Sequence, residues 1–223
     1  MAENAAEPAE LPGGDQAPVA NATSDPAEAK TTRRPPKLNS LLLVDAGAAL
    51  AGLSVWAAAD LWYTASGLGI AAVVSVGDAL FVGFLLAAML HEWGHYAGAR
   101  WSGASTELLR RKGLRLARFT FDFSTSTPAQ FTWMSLGGNL AHWGLVVLLF
   151  FALPMATPGQ VALLAAAFGF AISASVFELP VIGAVRAGQA PQGALQARAE
   201  RAPFKPLGWV TIGSGAALFA ALI

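Results

Sequence analysis

Five long apolar runs set the terms for how this chain can fold. They cover residues 40–62, 68–97, 131–153, 161–182 and 207–223. Crossing ~30 Å of hydrocarbon takes ~20 helical residues, and there each backbone N–H and C=O must find its partner within the protein. Long unbroken apolar runs meet that demand as helices. Composition agrees, with 55% hydrophobic and 13% charged residues and a mean hydropathy of +0.51. The expected fold is therefore mainly α: a polytopic membrane helical bundle of about five transmembrane helices within residues 38–223. The second run is long enough to tilt, or to break near Gly77.

Ahead of the first run, residues 1–37 are rich in Ala, Pro and Glu and hold six acidic residues. They contain too little apolar surface to form a core and read as a disordered tail. They also differ from a secretory signal, because Glu3, Glu7, Glu10 and Asp15 stand where such a signal has basic and then apolar residues.

The 14 basic residues fall into three groups. Lys30, Arg33, Arg34 and Lys37 precede the first run. Arg100, Arg110, Arg111, Lys112, Arg115 and Arg118 lie between the second and third. Arg186, Arg198, Arg201 and Lys205 lie between the fourth and fifth. With five spans these segments share one side, and the bias of Lys and Arg toward cytoplasmic loops makes it the cytoplasmic side. The expectation is a multi-pass protein of a bacterial inner membrane with a cytoplasmic N-terminus. Formal net charge is zero, which argues against nucleic acid as a partner.

Between the second and third runs, residues 114–123 alternate large apolar with smaller or polar residues. This is the period of a strand, so a short β-strand or hairpin is expected there. Thr127-Pro128 marks a turn into the third run.

The chain has no cysteine, so a metal site would have to be built from His, Asp or Glu. Residues His91-Glu92-Trp93-Gly94-His95 form an HExxH pentapeptide near the end of the second run. On a helix, positions four apart share a face, so both imidazoles can reach one ion. Glu92 is placed to take a proton from water activated by that ion. Zinc (Zn2+) suits such a site. Ionisable groups inside a membrane span cost at least ~2.5 kcal/mol, which favours a functional reading over a chance match.

Two further residues could complete the site. Glu178 lies within the fourth run beside Pro180, and ligation would compensate its charge; pairing with Arg186 is the other explanation. His142, in the third run, is the alternative third ligand, or else a packing histidine bonded to a carbonyl. Gly137-Gly138 would allow close approach of another backbone, either a neighbouring helix or an extended substrate. Asp45, Asp60 and Asp78 read as topology or packing features.

HEWGH in one span, a strand-forming segment after it, and Thr127-Pro128-Ala129-Gln130 leading into Gly137-Gly138-Asn139-Leu140-Ala141-His142 resemble the site-2 protease family of intramembrane zinc metalloproteases. The resemblance covers residues 68–188. It implies zinc at His91 and His95, Glu92 as the catalytic residue, and a membrane-protein substrate cleaved within or near the bilayer. It also implies that Gly137, Gly138, Asn139 and His142 match the family's Gly-Pro-x-x-Asn segment, which holds substrate or oxyanion. Here Asn139 stands in place of the proline and His142 in place of the asparagine. The family's third ligand, an aspartate before glycine, has no counterpart after Pro180. The resemblance thus implies a divergent member in which Glu178 or His142 replaces that ligand, or else an inactive protease-like scaffold or accessory subunit.

Overall fold

The computed structural model describes residues 36–110, 117–201 and 204–223. The tail expected over 1–37 lies outside them except for Pro36 and Lys37. Six helices and one small sheet are present among the described residues: α1 (Leu38–Ser66), α2 (Gly69–Trp101), β1 (Thr106–Leu108), β2 (Phe119–Phe121), α3 (Pro128–Ala152), α4 (Pro158–Arg186), α5 (Pro191–Arg201) and α6 (Phe204–Leu222).

Helices α1 to α4 are each long and apolar enough to cross a bilayer, so the chain is a multi-pass membrane protein. The fifth expected span corresponds to α6, a shorter apolar helix. Gly77 does not break α2, which runs 33 residues without interruption. Large apolar side chains such as Leu43, Leu61, Val73, Phe81 and Phe151 are exposed, as expected of a surface bathed in lipid rather than water. Trp62, Trp101 and Trp209, also exposed, lie near helix ends, where amphipathic rings suit the membrane interface.

Helix α2 is the centre of the bundle, packed against α1, α3 and α4, while α4 also carries α5 and α6. Small residues set the closest approaches. At Gly94 and Gly98, one turn apart, an added Cβ would meet the backbone of Gly137 and of Trp133 and Met134 on α3. Gly169 and Gly215 bring α4 and α6 together in the same way. Lipid offers no hydrophobic drive between helices, so such backbone-to-backbone packing is what holds them.

The expected strand is present as a hairpin. β2 falls inside residues 114–123 and pairs antiparallel with β1, Thr106 opposite Phe121 and Leu108 opposite Phe119. Residues 111–116 lie outside the described part. Phe119 packs on Tyr96 of α2, and Phe121 on Phe131 of α3, which seats the hairpin on the helix ends nearest HEWGH. In the following turn the hydroxyls of Ser124 and Thr125 donate to Asp122, and these bonds hold its carboxyl down at about 2. Thr127 then caps α3 in a reciprocal arrangement with Gln130, with Pro128 in the first turn, where its missing N–H is harmless.

Candidate metal centre

HEWGH sits on a continuous helical stretch of α2, two turns before its C-terminus. His91 and His95 project together toward α4, where Glu178 meets both. The Nε2 atoms of the two histidines are 3.0 Å apart. Oε1 of Glu178 is 3.2 Å from Nε2 of His91 and 2.9 Å from Nε2 of His95. Among the described residues these three are the group whose donor atoms converge closely enough for one metal ion. His91 is buried, and His95 and Glu178 are partly buried. Two imidazole nitrogens and one carboxylate oxygen at this spacing are donor types that would hold one such ion together. The donor chemistry and spacing therefore fit a small divalent cation.

Each donor is held from behind, as metal ligands require for orientation. Nδ1 of His95 lies 2.9 Å from the carbonyl oxygen of Met134. Gly138 makes this possible, since a Cβ there would overlap the His95 ring. Nδ1 of His91 lies 3.0 Å from Nδ1 of His142. Oε2 of Glu178 accepts from Nδ2 of Asn139 at 2.5 Å. Asn139 in turn accepts from Ser175 at 3.0 Å, and Ser175 from the Trp143 indole at 2.9 Å. Phe170 packs edge to face on both His91 and His142, closing the apolar side.

Of the two candidates for a third donor, the structure brings Glu178 to the histidine pair. His142 faces His91 at its other nitrogen. Gly137 and Gly138 pack against Gly94 and His95 of α2, so the close approach they permit is that of a neighbouring helix. Asn139 and His142, which the resemblance aligns with a substrate-holding segment, hydrogen-bond to Glu178 and His91 inside the bundle. Glu178 has no need of Arg186, which is exposed. Glu92 follows His91 on α2 and is half-buried.

Trp93, the middle residue of the motif, also has a partner. Its indole donates to Asp45 of α1 at 2.9 Å, and Asp45 takes two further bonds from Arg118, from Nε at 2.5 Å and from Nη2 at 2.9 Å. Asp45 and Arg118 are both buried. This triad ties α1, α2 and the base of the hairpin together. Ser175 and Trp143 escaped the reading of the sequence, although a polar residue one turn before Glu178 in an apolar run was a usable signal. The Met134 carbonyl had none, since backbone atoms carry no residue identity. Comparison with protein-family models, curated proteins and solved structures finds no match to this chain.

Proposed function

We propose that this chain is an intramembrane zinc metalloendopeptidase, similar to the site-2 protease family, that hydrolyses a peptide bond in a transmembrane or membrane-proximal segment of another membrane protein. One observation carries the reading: two imidazole nitrogens and one carboxylate oxygen, from α2 and α4, lie 2.9–3.2 Å from one another with Glu92 beside them in sequence. Two histidines and a carboxylate suit zinc or ferrous iron. The glutamate between the histidines favours zinc and hydrolysis.

Zinc, when bound, supplies Lewis acidity that acidifies water and polarises a carbonyl. His91, His95 and Glu178 would hold that ion. Glu92 takes up the proton released on attack and returns it to the leaving amine. Buried apolar walls, Phe170 among them, keep bulk water away and strengthen each charge interaction. A substrate helix has to unwind to be cut, and its freed backbone groups need partners that lipid cannot offer. The outer edges of the β1/β2 hairpin provide them by strand addition. The basic groups flanking α1, α2, α4 and α6 orient the protein with this end toward the cytoplasm of a bacterial cell.

The test is co-expression with a tagged membrane substrate and metal analysis of the purified protein. Wild type should cleave and carry about one zinc per chain, and Glu92→Gln should keep the zinc and lose at least ~100-fold in rate. Zinc below about half an equivalent would favour the inactive scaffold. Undiminished cleavage by Glu92→Gln would remove Glu92 from the mechanism.

A further inference from the structure

A third imidazole stands behind the metal centre. His142 on α3 is fully buried, 0% exposed. Its Nδ1 lies 3.0 Å from Nδ1 of His91, on the opposite side of that ring from Nε2, where His95 and Glu178 converge. Its own Nε2 is buried and has no hydrogen-bond partner among the described residues. Leaving a buried nitrogen unpartnered carries a desolvation cost that a leucine in the same place would avoid. Packing against Phe170 alone does not account for an imidazole here.

The chemistry of His91 does. For Nε2 of His91 to offer a lone pair to an ion, the ring's one proton has to sit on Nδ1. That N–H then requires an acceptor in a place sealed from water, and Nδ1 of His142 is the atom within reach. His142 in turn keeps its proton on Nε2, the nitrogen left without a partner. At His95 the Met134 carbonyl does the same task, so both histidines of the motif are oriented by α3.

We propose that His142 is a positioning residue for the metal centre: it accepts the hydrogen bond from Nδ1 of His91, selects the tautomer and ring angle that aim Nε2 at the ion, and is not itself a ligand. This rests on the metal-site reading above. It assigns His142 a role different from the one the family resemblance implies.

The experiment titrates zinc against a competing chelator on the full chain in detergent, using wild type, His142→Asn and His142→Leu. Asparagine places an oxygen acceptor close to where Nδ1 stood, whereas leucine keeps bulk and removes the acceptor. His142→Asn should bind zinc within about threefold of wild type, and His142→Leu 10- to 100-fold more weakly, both saturating at one per chain. The metal-free leucine variant should melt no lower than metal-free wild type, which separates positioning from packing. Equal affinity in all three proteins overturns the assignment alone. Equal large losses in both variants also overturn it, because His142 would then act as a ligand or as irreplaceable bulk. Wild type that takes up no zinc overturns the metal reading and this assignment with it. Should His142→Leu fail to fold, cobalt-loaded His142→Asn decides: wild-type visible bands support positioning, and loss of the four-coordinate spectrum refutes it.

Discussion

Glu178 shows how much a single residue's surroundings matter. A carboxylate within an apolar helix is costly unless it is compensated, and here two imidazoles and the Asn139 amide converge on it. Removing its charge while keeping its shape tests that arrangement. Glu178→Gln should reduce zinc in the purified protein from about one equivalent to near zero, read by metal analysis, because two histidines alone bind weakly. Asn139→Ala leaves all three donors in place and takes away only the support behind one. It should weaken zinc by about 10- to 100-fold in a chelator competition. Retention of full affinity by Asn139→Ala would show that the bond to Glu178 contributes nothing. The convergence of His91 and His95 was legible from spacing alone, since the geometry of a helix turns a separation of four into a shared face. Glu178 was legible because its cost in lipid demanded a partner. The partner could not be named without the fold, as Glu178 lies 83 positions after His95.

At the scale of elements, α4 carries a proline in its interior and yet stays helical from Pro158 to Arg186. Pro180 cannot donate to the carbonyl of Val176, one turn earlier. Arg198 of α5 takes that place, its Nη2 donating to the Val176 oxygen at 2.7 Å. The carbonyl left without its helical donor by Pro180 is thus satisfied by a side chain from the next helix. A double-mutant cycle reads this out. Arg198→Met should lower stability by about 1–2 kcal/mol in the native background and clearly less in Pro180→Ala, where the backbone N–H is restored. Identical effects in both backgrounds would mean that the two residues are not coupled. The interface of α2 with α3 is similarly sharp. Gly94→Ala has to push against the Gly137 carbonyl and should cost about 1–3 kcal/mol, seen as a lower melting midpoint in detergent together with weakened zinc binding.

Across the whole molecule, two buried polar clusters pin the helices at different levels. One is Asp45 with Arg118 and Trp93. In the other, Asp60 accepts from Ser75 at 2.8 Å and from Thr157 at 2.7 Å, where Gly159 lets the start of α4 come close. Both aspartates read from sequence only as topology or packing features, and both turn out to join separate elements. Arg118→Met removes both of its bonds to the buried Asp45, so it should cost about 1–3 kcal/mol in detergent unfolding, and adding Asp45→Leu should recover part of it. A double variant no more stable than the single would show that the ion pair does not hold the hairpin in place.

Sequence alone located the four long membrane-spanning helices, because hydrocarbon admits almost no other solution for long apolar runs; the fifth expected span is a shorter apolar helix. It also located strand β2 and the face shared by His91 and His95, since both follow from local periodicity, whereas the pairing of β2 with β1 over Thr106–Leu108 was not legible there. Tertiary structure decided which distant groups meet. It placed Glu178 against both histidines, set Gly137 and Gly138 against α2, and brought Asn139 to Glu178 and His142 to the far side of His91. Those outcomes depend on how α2, α3 and α4 rotate and slide when small residues let their backbones touch. That rotation arises from packing over the whole interface, and a one-dimensional pattern records only which residues are available for it.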